Sequence, residues 1–232
     1  MTIDLNADIG EGFPWDDALI ELVTSGNVCL GGHAGSQELT LETANRWVTA
    51  GRSIGLHPGY PDRDGMGRRS PIDNEIAKTW GTDIFAQTQR AFSGREGWSY
   101  LKPHGAFYND AAQGAVAANF SLDHILHRAK LPLLGLPDTH HPLSAKRERV
   151  RFYREGFADR RYTEGGLLLP RIDPGALIES NEEAAEQAVQ LALSGGFDSL
   201  CLHGDKPGCV ERAQAVRISL EKAGFTIAPF AL

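Results

Sequence analysis

Residues 27–57, NVCLGGHAGSQELTLETANRWVTAGRSIGLH, contain a complete strand–helix–strand unit. Residues 27–31 form a short apolar run, residues 40–50 suit a helix that stops at Gly51, and residues 53–57 form a second short run. A connection of this length joins parallel strands, because antiparallel neighbours need only a tight turn.

The alternation extends in both directions. Further strand candidates lie at 2–7, 98–102, 131–136, 149–154 and 199–203. Several are nearly continuous apolar runs, as expected of strands covered on both faces. Ser70-Pro71 reads as the N-cap and first residue of a helix with an apolar stripe of Ile72, Ile76, Trp80 and Ile84, which Gly81 weakens. Residues 111–129 are helical in propensity. Ser180 and Glu183 suit a capping box for a helix ending near Gly195-Gly196. The last helix starts after Pro207 and stops near Gly224, with Val210, Ala213 and Leu220 facing inward. Residues 137–148 read as a short helix or a loop, and the C-terminal FTIAPFAL as an edge strand or a packed tail. Repeated βα units predict an α/β fold: a single-domain (β/α) barrel of about seven parallel strands over residues 1–232. A doubly wound open sheet is the alternative.

Composition narrows the function. The chain has 232 residues, 41% hydrophobic and 23% charged, which suits a globular protein with a sizeable core. Its 23 Lys+Arg against 30 Asp+Glu give a net charge of −7, and nucleic-acid binding would need a basic face. Cys29, Cys201 and Cys209 form neither a paired framework nor a CxxC site, so reduced thiols and a cytoplasmic setting are expected. The N-terminus lacks the basic and apolar regions of a signal peptide, and no run is long enough to span a membrane.

Ligands of parallel α/β folds bind beyond the carboxyl ends of the strands. The polar residues following each run are therefore the candidates. Asn6, Asp8 and Glu11 follow the first, His33 the second, and His57, Asp62, Asp64, Arg68 and Arg69 the third. Lys102, His104, Tyr108 and Asn109 follow the fourth, Asp159, Arg160 and Arg161 the sixth, and His203, Asp205 and Lys206 the last. Four of the eight histidines fall at these exits. His124, His127, His140 and His141 read instead as surface or packing residues, and the cysteines as small buried hydrophobes. No GxxxxGK[ST] loop is present, so the chain carries no Walker-type phosphate site. Two chemistries fit this mouth. Asp8, His57 and His104 could hold a divalent metal that activates water against an amide. Alternatively, a carboxylate–imidazole pair acts as general base and acid without metal.

Six blocks carry a resemblance: IDLNADIGE (3–11), HAG (33–35), IGLHPGYPDRDGMGRR (54–69), LKPHGAFYN (101–109), FADRRYTEGGLLLPR (157–171) and CLHGDKP (201–207). In this order they resemble the LamB/YcsF family, the A component of an ATP-dependent 5-oxoprolinase. The resemblance implies a distorted barrel similar to that of carbohydrate deacetylases. It also implies cleavage of the 5-oxoproline lactam to L-glutamate, ATP used through the assembled complex, and partner subunits B and C. Assembly into a homo-oligomer stays open. The roles it suggests are Asp8 or Glu11 as base for water, His57 and His104 as electrophilic or metal-binding groups, His33 as a further catalytic residue, and Lys102 near the developing negative charge. Arg68 or Arg69 would hold the substrate carboxylate, with Asn6, Tyr108, Asn109 and Arg160 lining its site and His203–Asp205 as an acid–base pair. The chain departs from the family pattern at Ala7 (usually Cys), Gly32 (usually aromatic) and Ser36 (usually Asp), and is shorter around 93–150. Loss of an aromatic at 32 is expected to loosen the site, and Ser36 to alter ligand orientation. The rival readings are a metal-dependent deacetylase without ATP and a noncatalytic binding protein of the same complex.

Overall fold

A computed structural model describes residues 1–231. Strand β1 (Thr2–Ile9) pairs in parallel with three strands, two of them in the barrel. Asp4–Ala7 meet β7 (Ser199–Leu202), and Asn6–Ile9 meet β2 (Ser25–Cys29). From β2 the parallel order continues through β3 (Ser53–His57), β4 (Tyr100–Leu101), β5 (Leu133–Gly135) and β6 (Phe152–Phe157) back to β7. Seven parallel strands thus close a barrel, and the open-sheet alternative is excluded. A short β8 (Thr226–Ile227) pairs with Thr2 and Ile3, so part of the C-terminal segment does form an edge strand. Phe230 beyond it packs on Tyr100 and Tyr153, while Leu232 lies outside the described residues.

The helices follow the strands. They are α1 (Asp16–Leu19), α2 (Gln37–Thr49), α3 (Asn74–Gly94), α4 (Gly105–Ala112), α5 (Val116–Ala129), α6 (His141–Glu148), α7 (Asn181–Leu193) and α8 (Cys209–Lys222). The expected helix at 111–129 is thus two helices, and 137–148 holds a short one. Ser180 caps α7 by accepting from Glu183 N, but the Glu183 side chain turns to Arg161 instead of closing the box. The start of α3 differs from expectation. Asp73, not Ser70, is the N-cap: its carboxylate accepts from the backbone of Glu75 and Ile76. A carboxylate at the positive end of the helix outcompetes the Ser-Pro signal. Ser70 instead donates to Asp110, and Ile72 is left exposed.

The strands are buried on both faces, but the faces differ. In β1, Ile3, Leu5, Ala7 and Ile9 join the apolar layer beneath the helices, with Trp47 of α2, Ile84 of α3, Leu122 of α5 and Val216 of α8. Asp4, Asn6 and Asp8, at the alternate positions, point along the barrel axis. Barrels of this type are usually filled by branched apolar residues. Here the axis carries a polar ladder instead. Asp4 accepts from Thr24, Ser25 and Ser199, Asn6 donates to Ser199, and Asn27 donates to both Asn6 and Asp8. Partners are required, because an unpaired buried polar group costs about 1–3 kcal/mol.

Asp4 makes this ladder sensitive to pH. Burial raises its pKa from 3.8 to about 6, with the three hydroxyls opposing the shift. The folded state therefore holds the proton more tightly than the unfolded state. The associated stability is complete below pH 3.8 and is lost as pH rises through 6, a difference of about 3 kcal/mol. Urea unfolding from about pH 4 to about pH 7.5 should show stability falling more steeply for the wild type than for Asp4→Asn. Parallel curves would contradict this.

Candidate active site

Lys102, just past β4, is 2% exposed and reaches across the barrel axis. Its Nζ lies 2.8 Å from Glu155 Oε1, 3.1 Å from Asp8 Oδ1 and 3.2 Å from Asn6 Oδ1, and donates to Cys201 Sγ at 3.0 Å. Burial disfavours the ammonium, but Asp8 and Glu155 outweigh it and hold Lys102 well above the ordinary lysine value. Burial likewise works against ionised Asp8, yet His57 and Lys102 hold its carboxyl well below the usual range. The Lys102 ammonium is thus held between the Asp8 and Glu155 carboxyl groups.

His57 ends β3 and His104 precedes α4. His57 Nδ1 is 2.8 Å from the Lys102 carbonyl, and His104 Nε2 is 2.8 Å from the Met66 carbonyl. A carbonyl only accepts, so both nitrogens carry the ring proton. The other two, His57 Nε2 and His104 Nδ1, then face each other at hydrogen-bond distance, 2.9 Å, so one proton is shared between them. Asp8 Oδ1 lies 3.4 Å from the first and Glu11 Oε1 3.7 Å from the second. Burial, with His33 and His57 nearby, keeps the pKa of His104 well below the ordinary value, so it stays neutral. Two imidazoles, each fixed by a backbone carbonyl and converging with Glu11, form a donor set of the kind that holds a divalent cation once the shared proton is lost.

His33 stacks on His104 at 3.6 Å between ring centres, and its Nε2 is 3.1 Å from Glu11 Oε1. Burial opposes its protonation, but Cys29 and Glu11 reverse this and raise it to about 10. In this arrangement His33 serves as counter-ion to Glu11. Gly67 permits this stacking. It sits at φ +65°, and a Cβ there would lie 2.8 Å from His33 Cβ and 3.0 Å from His104 Cδ2.

A cavity of about 320 Å³ opens on this centre. Asp8, His57, Lys102, His104, Tyr108, Asn109 and His203 line it, together with Arg68, Arg160 and Arg171. Asp205 bridges Arg68 and Arg171. Arg160 is 3% exposed, and its Nε has no partner. Burial and the neighbouring Arg171 depress its pKa to about 10, so the guanidinium remains charged at neutral pH. This group of guanidinium forks is suited to an anionic substituent.

The structure therefore brings most of the predicted residues together, with corrections. Glu11 and His33 are buried behind the histidine pair and do not line the cavity. Asn6 lies beneath Lys102 as a support. Arg69 points away to Asp62, and only Arg68 enters. His203 pairs with Asp159, not Asp205: its Nδ1 lies 2.9 Å from Asp159 Oδ1, and its backbone N–H donates to Asp159 Oδ2. Despite burial, His203 lowers the pKa of Asp159 far below the usual range. Arg171, Glu155 and the thiol of Cys201 were not anticipated at the site. Glu155 had a sequence signal, since it alternates with Tyr153 and Phe157 along β6. His141 packs as expected, its Nδ1 accepting from Leu136 N and its Nε2 donating to Tyr108 O.

The LamB/YcsF family model matches residues 3–232. The chain belongs to the LamB/YcsF family. It is 38% identical over 249 residues to the 5-oxoprolinase A subunit of Methylococcus capsulatus, covering 98% of this chain and 95% of that one. With the 5-oxoprolinase A subunit of Streptomyces avermitilis it shares 39% over 254 residues, covering 99% and 100%. The crystal structure of the lactam utilization protein from Thermus thermophilus superposes with a TM-score of 0.82 at 32% identity, covering 98% and 99%. The departures from the LamB/YcsF pattern leave the cavity intact. A Cβ on Gly32 would clash with the Gln87 amide, so Gln87 of α3 fills the space and the site is not loosened there. Ser36 is the N-cap of α2, accepting from Leu39 N, and is not a ligand-orienting group. Ala7 faces the helices, away from the axis. No helix among the described residues is long and apolar enough to cross a membrane.

Proposed function

We propose that this protein is the A subunit of an ATP-dependent 5-oxoprolinase, a cytoplasmic hydrolase that opens the lactam of 5-oxo-L-proline to L-glutamate. The observation that carries the reading is one cavity lined by Asp8, Lys102, His57 and His104 and also by Arg68, Arg160 and Arg171. A small cyclic amide bearing one carboxylate meets both sets. The full-length similarity to subunits named for this reaction supports the same substrate.

In the reaction, water adds to the lactam carbonyl carbon, the C–N bond breaks, and the nitrogen leaves as an amine after gaining a proton. Lys102 lies where negative charge develops on the carbonyl oxygen. Asp8, held ionised, takes the proton of the attacking water. His203, oriented by Asp159, passes a proton to the departing nitrogen. Arg68, Arg160 and Arg171 hold the carboxylate. A divalent ion held by Glu11, His57 and His104, with Asp8 beside His57, would supply Lewis acidity toward the carbonyl. ATP acts through the assembled complex: partner subunits B and C transfer its terminal phosphoryl group to the lactam oxygen with release of ADP, water adds and the C–N bond breaks in this chain, and a second water hydrolyses the resulting acyl phosphate to L-glutamate and inorganic phosphate.

Glutamate release from 5-oxoproline, with and without ATP and with and without the partner subunits, tests the reading. A requirement for both supports it. Release by this chain alone, without nucleotide, would replace it with a metal-dependent amide hydrolase, the reading that the facing His57 and His104 nitrogens favour. Binding without turnover under every condition would indicate a noncatalytic role. Arg160→Gln should raise KM for 5-oxoproline about 10-fold or more while kcat changes little, because a carboxylate clamp acts in the ground state and the transition state alike. An unchanged KM would remove Arg160 from substrate binding.

A further inference from the structure

We propose that Glu155 is the positioning residue that holds the Lys102 ammonium in place, leaving Asp8 available to the His57–His104 cluster. Glu155 lies in β6, is fully buried, and does not line the cavity. It therefore cannot touch substrate. Its contact with Lys102, at 2.8 Å, is the shortest that the ammonium makes.

An ammonium has three protons, and four acceptors surround this one: Asn6, Asp8, Cys201 and Glu155. Asp8, Cys201 and His203 also form a cluster of metal-ligand type. Lys102 already supplies the positive charge there, within 3.1 Å of both Asp8 and Cys201. Asp8 has to serve two neighbours, since the same Oδ1 lies 3.1 Å from Lys102 and 3.4 Å from His57. When Asp8 turns to its work at the histidine end, Lys102 needs a second counter-ion. Glu155 is that counter-ion. Among the described residues Lys102 is the charged group paired with its carboxylate, and the buried Tyr108 hydroxyl lies beside it.

The kinetic consequence rests on the proposed lactam hydrolysis, whereas the thermodynamic consequence does not. In the assembled enzyme, Glu155→Gln should lower kcat about 100-fold with KM within about 3-fold of the wild type, because Lys102 is no longer fixed. Glu155→Asp keeps the charge but shortens the reach, whereas Glu155→Gln keeps the shape and removes the charge. If Glu155 acts through its charge on Lys102, kcat ranks Asp above Gln; if it only fills space, Gln ranks above Asp. Thermal unfolding of this chain with Glu155→Gln, Lys102→Met and both together reads the pair without any substrate. Each single change should lower Tm by about 10 °C, and the double variant should recover a large part of the loss. Should Glu155→Gln alone fail to fold, Glu155→Asp and the double variant carry the test. Additive Tm losses, or a Gln variant at least as active as the Asp variant, would overturn the proposal. A coupled cycle in a chain that does not turn over 5-oxoproline would uphold the pairing and reject only the reaction.

Discussion

Replacing His104 with alanine is expected to lower kcat/KM by about three orders of magnitude. Its Nδ1 is the only ring nitrogen of His104 free to act, because Nε2 is committed to the Met66 carbonyl. Removing it leaves His57 Nε2 facing an empty space and separates Glu11 from the cluster. The same variant should lose affinity for a divalent ion, read by metal analysis after dialysis of wild type and variant against the same metal buffer. Stability will fall as well, since the Met66 carbonyl loses its donor and His33 loses its stacking partner. That cost is about 2 kcal/mol, which leaves a folded protein whose circular dichroism matches the wild type. Wild-type turnover in a folded His104→Ala protein would remove this histidine from the chemistry. Wild-type metal affinity with lost turnover would keep it in the chemistry but not as a ligand.

The legible part of this site is the part built within single βα units. Asp8, His57, Lys102, His104 and His203 sit at or just beyond strand ends, and the alternation that defines those ends is local. The polar interior was equally visible in TIDLNADI, where Asp4, Asn6 and Asp8 alternate with Ile3, Leu5, Ala7 and Ile9. Counting such runs simply as apolar concealed it. What the sequence hid is contact between units. His203 and Asp205 are two residues apart, which suggested a pair, but β6 lies beside β7 and brings Asp159 to the imidazole. Placing the sixth strand at 149–154 stopped it one residue short of Glu155, although β6 runs to Phe157. Arg68 and Arg69 are equivalent by composition. Which one enters the cavity is decided by Asp62, which holds Arg69 outside.

Asp8→Asn should be more damaging still, with kcat reduced by about 10³- to 10⁴-fold and KM nearly unchanged. Asp8 stands between Lys102 and His57. One oxygen accepts from Asn27 at 2.8 Å and faces Lys102 and His57. An asparagine there has nearly the same shape, so packing survives, but it cannot take a proton and it leaves Lys102 with Glu155 alone. Because Asp8 is held well below the usual carboxylate range, its ionisation does not titrate near neutral pH. Any acidic limb in the wild-type pH–rate profile must therefore come from another group. Residual activity of Asp8→Asn should keep that same acidic limb, only scaled down. An acidic limb that disappears in the variant would show that Asp8 itself titrates in the working range. The opposing pulls of burial and of its neighbours His57 and Lys102 would then balance differently, and Asp8 would enter the cycle protonated rather than as the standing base.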